Sequence, residues 1–352
     1  MLRPSTADGS LRARVRLRQP RRLPLAVYVP AWIQAAIQLA AFVGSLWLLQ
    51  TEARVLQVLV LSAVFGWSWF CLLMVGHDAM HHAFVPQRWL NRVVAFLVLD
   101  CLLFSRTSWA YGHNVVHHGR PYCREDRMFL RGGSVAGDLW NLLLMVLQYI
   151  WWDVDRLFRR PTWHEWLGMS IRVALFWSLL PLAILPSVLF LLLFGNYLGL
   201  LSHAIPVKRD NEDPVLRQLR TTWDLFPESF IASLVTGGLN AHATHHVYPF
   251  LPRGAQPLGA AILSQEAGAE HRCVRTLAGL LTLFRLRRYH TLEVASIEAI
   301  AGARAQAVAA GQDRGDTHVI DLRIGDRRAR QVNIAFPERR KGDRRTGLPV
   351  AL

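Results

Sequence analysis

Long apolar stretches alternate with polar segments along the first two-thirds of the chain. Val29–Leu49 and Val55–Val75 each have about 20 residues, the length of an α-helix that crosses the hydrocarbon core of a bilayer. Within lipid every backbone polar group needs an internal partner, so both stretches are predicted to be helices. Only Gln50–Arg54 separates them, which predicts an antiparallel hairpin.

A second hairpin is predicted further along the chain. Leu167–Leu201 is long enough for two spans, near 167–182 and 185–202, with Pro181 and Pro186 marking the turn between them. The predicted fold class is therefore an all-α multi-pass membrane protein. It has four transmembrane helices in two hairpins, with a histidine-rich cap on the cytoplasmic side.

Two further apolar segments do not fit a simple span. Val93–Phe104 is too short to cross about 30 Å of hydrocarbon at about 1.5 Å per residue, so it should dip in, lie at the interface or pack against the protein. Leu139–Trp152 is Trp-rich and amphipathic and precedes the basic segment Arg156–Arg160, a pattern typical of a helix at the headgroup level. From His203 onward the chain is expected to be largely soluble.

Composition and charge support this organisation. Of the 352 residues, 52% are hydrophobic and 18% are charged, with a formal net charge of +15. Basic residues cluster between Arg3 and Arg22 and again between Arg323 and Arg345, which puts both termini in the cytoplasm by the positive-inside rule and argues against nucleic-acid binding. Three regions are predicted: a basic cytoplasmic tail over 1–24, a membrane domain over 25–300 and a basic C-terminal tail over 301–352.

Ten of the 14 histidines lie at or beyond the predicted cytoplasmic ends of the spans. His203 follows the last span, and the others form three clusters: His77-Asp78-Ala79-Met80-His81-His82, His113-Asn114-Val115-Val116-His117-His118 and His242-Ala243-Thr244-His245-His246. Residues three or four apart share a helix face, so each cluster should direct a pair at one ion. The expected pairs are His77 with His81, His113 with His117, and His242 with His245. His118 and His246 are turned by about 100° from their neighbours and should reach a second ion.

The type of ligand limits the metal. Imidazole suits zinc, copper, iron and nickel, whereas a structural zinc site needs only four ligands. The four cysteines lie far apart and include no C-x-x-C pair, so no cysteine metal site is indicated. The histidine clusters therefore predict a site for two metal ions.

The three clusters resemble the histidine boxes of the membrane fatty-acid desaturase and hydroxylase superfamily over about Gly76–Pro252. H-D-x-x-H, H-x-x-x-H-H and H-x-x-H-H occur in this order, separated by predicted spans. The run His245-His246-Val247-Tyr248-Pro249 is similar to the H-H-x-[FY]-P of acyl desaturases, and Gln218–Thr222 and Thr236–Asn240 add to the likeness. The resemblance implies two iron ions, dioxygen as co-substrate and external electrons that together place a double bond in a lipid acyl chain.

The resemblance also implies which residues bind iron. The implied ligands are His77, His81, His113, His117, His118, His203, His242, His245 and His246. His82 is left over and is expected to support the ligands from outside, as are Asp78 and Asn240, although Asp78 and Asn240 equally fit simple helix-end and turn positions. Glu125 and Asp126 occupy a place where the family carries acidic residues. The remaining histidines, His271 among them, are expected to be ordinary.

Several alternatives remain open from the sequence. H-D-A-M-H is shared with carotenoid ketolases, so a carotenoid ketolase or hydroxylase, or another lipid or alkane hydroxylase, is the main alternative. A bis-histidine haem protein that transfers electrons would need histidines within the spans. No H-P-G-G haem segment occurs in the chain, which implies a separate ferredoxin-type or flavin-linked electron donor. A bacterial inner membrane is the expected location, with the active site on the cytoplasmic face.

Overall fold

The architecture was obtained from a computed structural model and is predominantly helical. The described residues are 23–51, 54–119, 126, 135–159, 162–178, 186–195, 203 and 213–286. Almost all of the predicted N-terminal tail and the whole of the predicted C-terminal tail lie outside these ranges, so both remain predictions.

Twelve named helices and two short strands organise the described part of the chain. In chain order they are α1 (Val29–Thr51), α2 (Val55–Met80), α3 (Arg88–Ala95), α4 (Arg106–Trp109), α5 (Val135–Arg159), α6 (Trp163–Ser178), α7 (Pro186–Gly195), α8 (Pro214–Thr221), β1 (Asp224–Leu225), α9 (Phe230–Thr236), α10 (His242–Val247), α11 (Gln256–Ala267), β2 (Cys273–Val274) and α12 (Leu277–Leu286). The chain continues from α3 and α4 as π-helices, over Phe96–Asp100 and Ala110–His117.

Two helices in the described part of the chain are long and apolar enough to cross a membrane. They are Leu25–Thr51, which includes α1, and Val55–Met80, which is α2. The two helices pack side by side in opposite directions, with the rings of Phe42 and Phe65 stacked at 4.7 Å between centroids. Helical hydrogen bonding satisfies their backbones, as lipid requires.

The predicted second hairpin is described only in part. α6 has 16 residues and α7 is a shorter apolar helix, and neither reaches the length of a full span within the described ranges. Pro186 begins α7, where its missing N–H costs no helical hydrogen bond. Pro181 lies outside the described residues, and the four-span topology stays a prediction.

The short apolar segment Val93–Phe104 packs against the protein. Its π-helical part, Phe96–Asp100, brings Leu99 into the core around α2, where Leu99 and Phe104 are fully or almost fully buried. A Cβ atom at Gly76 would lie 2.8 Å from Leu99 Cγ, so only glycine permits this approach. Packing against the protein, one of the three arrangements that the sequence left open, is therefore observed.

α5 is amphipathic, as its sequence predicts. One face buries Tyr149 and Asp153, while the opposite face exposes Trp140, Trp151 and Phe158. Asp153 accepts hydrogen bonds from the backbone and hydroxyl of Ser105, which lies just before α4. α5 therefore supports the segment that carries the second histidine cluster, and its placement at the headgroup level stays a prediction.

A small parallel sheet modifies the all-α prediction. β1 pairs with β2, with Asp224 opposite Cys273 and Leu225 opposite Val274. An isolated antiparallel bridge also joins Asp224 to Ala241, immediately before α10. Backbone pairing thus ties the third histidine cluster to the segment that follows α11.

Candidate metal centre

The nine histidines that the sequence singled out come together as two neighbouring groups. The first histidine group consists of His77, His81, His113, His118 and His245, and the second histidine group consists of His117, His203, His242 and His246. In each group the candidate ligand nitrogens all lie within 4.8 Å of one another. Seven of the nine residues are buried and the other two, His81 and His118, are partly buried.

The first cluster lies at the end of α2. His77 and His81 are one turn apart, their ring centroids are 5.0 Å apart, and both belong to the first histidine group. The expected pairing of residues four apart is therefore correct here. The ordinary α-helical repeat is sufficient to bring these two rings together.

The second cluster lies on the π-helix Ala110–His117, and this changes its pairing. His118 N donates to the carbonyl oxygen of His113 at 3.0 Å, a bond between residues five apart. The Nε2 atoms of His113 and His118 are 3.1 Å apart in the first group, whereas His117 faces the second. The expected pairing of His113 with His117 is wrong, because a π-helix places residues five apart on the same face.

The third cluster divides between the groups in another way. His242 and His246 are four apart on α10, and their Nε2 atoms lie 3.1 Å apart in the second group. His245 turns toward the first group, where its ring centroid is 4.3 Å from that of His77. The expected pairing of His242 with His245 is therefore also wrong. Adjacent residues on α10 point about 100° apart, which lets His245 and His246 serve different groups.

His203 completes the second histidine group from a separate segment. An isolated antiparallel bridge to Thr222 holds its backbone, and its Nε2 lies 2.7 Å from Nε2 of His242. The sequence suggested this residue from its place after the last predicted span and from the family resemblance, although it lies outside the three clusters. The structure puts it beside the box histidines.

The ring nitrogens that point inward fit metal ions. Nε2 of His77, His81 and His245 is buried and has no hydrogen-bond partner within the described part of the chain. Burial, followed by the charges of neighbouring histidines, holds the pKa well below the usual range at six of the nine: His81, His113, His118, His242, His245 and His246. A lowered pKa favours the neutral ring, and a neutral imidazole offers the lone pair that binds a metal.

Polar side chains hold three of the rings from outside. His77 Nδ1 donates to Asp78 at 2.9 Å, and His117 Nδ1 lies 3.3 Å from Asp126 Oδ1. His246 Nδ1 donates to the amide oxygen of Gln218 at 2.6 Å. A proton held on Nδ1 leaves the lone pair on Nε2, so these partners orient the rings toward the centre of each group.

The three predicted supporting residues differ in outcome. Asp78 contacts a candidate ligand directly and is anchored by Arg253, whose Nε donates to it at 2.6 Å. His82 is exposed, with a left-handed backbone (φ 58°), and no contact in the described part of the chain supports the expected role. Asn240 donates to the carbonyl of Phe226 at 3.0 Å and thus fixes a turn.

Two supporting elements were not anticipated. In the sequence, Gln218 was noted only as part of Gln218–Thr222, a run that resembles the desaturase family. In the structure its amide oxygen accepts a hydrogen bond from His246, and its Nε2 donates to the carbonyl of His118 at 2.6 Å. His271, expected to be ordinary, is buried and donates to Asp224 at 2.8 Å. Nothing in the spacing along the chain signals either contact, because the bonds join residues from 28 to 100 positions apart.

Asp224 fastens the third histidine cluster. Its carboxylate is fully buried and accepts hydrogen bonds from the backbone N–H of Thr244 at 3.0 Å and from the Thr244 hydroxyl at 2.6 Å. It also accepts the Nε2 proton of His271, whose Nδ1 lies 2.9 Å from the hydroxyl of Ser264. Thr244 lies between His242 and His245, so this network fixes the rotation of α10.

Replacing Asp224 with asparagine is expected to lower the stability of the chain by roughly 1–3 kcal/mol, because the amide would turn a donor toward a buried donor. The unfolding temperature in detergent would show this loss. Asp155→Asn is the matched control, since Asp155 forms an exposed ion pair with Arg159, one turn further along α5. Equal unfolding temperatures for the two variants would contradict the role given to Asp224.

Comparison with known proteins agrees with this geometry. Residues 53–277 match the fatty acid desaturase family, and the chain belongs to that family. The resemblance drawn from the three histidine clusters is thereby confirmed. The family is associated with membranes and lipid metabolism, and membership supports an oxidoreductase.

The relatives that the chain matches include both fatty-acid desaturases and beta-carotene ketolases. The chain is 25% identical to Delta(5) fatty acid desaturase fat-4 from Caenorhabditis elegans over 54% of each chain. It is 24% identical to sn-1 linoleoyl-lipid 6-desaturase from Arthrospira platensis over 59% of this chain and 70% of the relative. It is also 28% identical to beta-carotene ketolase from Paracoccus sp. (strain PC1), over 59% of this chain and 81% of the ketolase. The chain thus spans only about half the length of the worm desaturase that it matches.

Proposed function

We propose that the chain is an oxygen-dependent fatty-acyl desaturase of the membrane, with one iron ion in each histidine group. The observation that carries the proposal is the pair of neighbouring groups, with five and four histidines whose ring nitrogens converge. So many imidazoles exceed the needs of a structural zinc site and suit iron. Family membership supplies the reaction class.

The bound irons would supply the activation of dioxygen. In the overall reaction the acyl chain loses two hydrogen atoms, and dioxygen takes these with two external electrons and two protons to give two waters. The external electrons are expected from a ferredoxin-type or flavin-linked donor. The basic residues that flank the spans assign the active site and both termini to the cytoplasmic face, and a bacterial inner membrane is the proposed location.

The residues of the chain position the ions and keep water away from them. Trp109 is buried and stacks on the ring of His113 at 4.8 Å, and Tyr149 and Phe104 pack behind it. This aromatic wall closes one side of the first histidine group. Restricting water protects reactive species from side reactions, and the protein's task here is mainly orientation and exclusion.

A carotenoid ketolase is the second candidate function. The match covers 81% of the beta-carotene ketolase but only 54% of the worm desaturase. The same metal centre would then introduce oxygen at a ring carbon instead of a double bond in an acyl chain. Product analysis separates the two candidates.

The test is expression of the chain in a bacterial host that makes β-carotene, with lipids and pigments profiled by mass spectrometry. New unsaturated acyl chains that are absent with His113→Ala would support the desaturase. Keto-carotenoids that depend on His113 would establish the second candidate and overturn the first. Unchanged lipids and pigments, with iron bound and a reductase supplied, would contradict both.

Gln218→Ala is expected to weaken iron binding by about 10–100-fold, because partners that orient a ligand from outside typically contribute this much to metal affinity. The variant loses the acceptor for His246 and the donor to the His118 carbonyl together. Iron retained against graded chelator concentrations measures the effect. Gln265→Ala, at an exposed position of α11, is the control, and the same chelator sensitivity in both variants would refute the prediction.

A further inference from the structure

The short helix α9 lies beside the middle of both candidate spans. Trp67 Nε1, on α2, donates to the carbonyl oxygen of Val235 at 2.9 Å. Gln38 Nε2, on α1, donates to the carbonyl oxygen of Leu234 at 3.3 Å. Side chains from two different spanning helices therefore donate hydrogen bonds to carbonyl groups near the end of α9.

The contacts with α1 and with α2 place the end of α9 at a similar depth in the membrane. Trp67 precedes His77 by ten residues, and Cys71, whose Sγ lies 3.8 Å from the carbonyl oxygens of Leu234 and Val235, precedes it by six. The end of α9 therefore lies about 9–15 Å along α2 from the first histidine cluster. Gln38 lies nine residues after Val29, which is about 14 Å along α1 from the same side. Because the hydrocarbon core is about 30 Å thick, both estimates reach toward its middle.

Two glycines return the chain from this depth to the histidines. Gly237 (φ 63°) and Gly238 (φ 92°) adopt left-handed conformations directly after α9. A Cβ atom at Gly237 would lie 3.0 Å from Met74 Cγ, so the turn is pressed against α2. From this turn the chain runs back to His242, and α9 with its return forms a hairpin that enters and leaves on one side.

The surface of α9 suits lipid. Ile231 is 72% exposed, and Phe230 and Val235 are each more than 40% exposed. The opposite face is polar and directed at the protein, with the hydroxyl of Ser233 donating to Gln34 at 3.2 Å. Irregular backbone is tolerated at membrane depth only where its polar groups are satisfied by the protein, and Gln38 and Trp67 meet that condition.

We propose that α9 is a re-entrant helix whose outer face, formed by Phe230, Ile231 and Val235, contacts the acyl chains of the bilayer. The inference rests on α1 and α2 crossing the membrane and is independent of the reaction catalysed. It revises the expectation that the chain is largely soluble after His203. A membrane-embedded element would then lead directly into the third histidine cluster.

The test is a bimane fluorophore attached to Ile231→Cys in the full chain reconstituted into phosphatidylcholine vesicles. Val43→Cys, at an exposed position of α1, is the lipid-facing reference, and Gln265→Cys is the aqueous reference. Phe230→Cys provides a second position on the outer face of α9. The unsubstituted chain, labelled in parallel, gives the background from native cysteines.

The expected result is that the labels on α9 behave like the label at position 43. Doxyl groups placed along the lipid chains should quench the fluorescence of the α9 labels. Aqueous iodide should quench these labels much less than it quenches the label at position 265. Iodide quenching of both α9 labels at the level of the position 265 label would overturn the proposal. Iodide quenching at position 43 as well would instead overturn the span assignment on which the proposal rests, whatever reaction the chain catalyses.

Discussion

Arg253→Met is expected to destabilise the chain by about 3–5 kcal/mol, the typical cost of leaving a buried charge without its partner. Arg253 Nε donates to Asp78 at 2.6 Å and Nη1 donates to Gln34 at 2.9 Å, with both charged side chains buried. Methionine would leave the Asp78 carboxylate at the end of α2 with one donor fewer. Unfolding in detergent, followed by tryptophan fluorescence, measures the loss.

Two comparisons make this result specific to the pair. Arg275→Met is the matched control, because Arg275 forms an exposed ion pair with Glu228, and such pairs contribute little. Asp78→Asn combined with Arg253→Met should recover part of the stability, since the unpaired charge is then absent. Similar unfolding of the Arg253 and Arg275 variants would show that the buried pair does not hold α2 to the segment before α11.

His245→Ala is expected to reduce product formation by more than about 100-fold. Changes to groups that merely orient a metal ligand cost roughly 10–100-fold, so loss of a proposed ligand such as His245 should cost more. His245 is the member of the third cluster that reaches the first histidine group, and its Nε2 has no hydrogen-bond partner within the described part of the chain. The measurement is the yield of new lipid product per folded protein in membranes.

His82→Ala is the control for that experiment. His82 directly follows His81 but is exposed, so its removal should leave product yield nearly unchanged. The pair separates a ligand role from a general sensitivity to histidine replacement. Comparable losses in both variants would contradict the division of the histidines into ligands and a bystander.

The sequence predicts which histidines converge better than it predicts how they divide between the two groups. The three clusters identify the nine histidines that converge, because each box places several imidazoles within one or two turns. The α-helical repeat gives the right partner only for His77 and His81. The second box follows a π-helix, and the hydrogen bond from His118 N to the carbonyl of His113 that defines it has no signature in the spacing.

Supporting contacts are harder to predict because they join distant segments. Gln218, on α8, reaches both His246 and the backbone of His118, and Arg253 reaches Asp78 across 175 positions of the chain. Hydropathy likewise identifies α1 and α2, which are long, but α9 has only seven residues and falls below the length of any span. Its position follows from side-chain hydrogen bonds with α1 and α2.

The most direct test of the central claim is metal analysis of the purified chain, with an optical spectrum to detect haem. The account predicts about two iron ions per chain, one for each histidine group, and no haem absorption. The His242→Ala variant, which alters only the second histidine group, should retain about one iron ion per chain. One ion or fewer in the intact chain after iron loading, zinc without iron, or a haem spectrum would contradict the assignment of a di-iron centre.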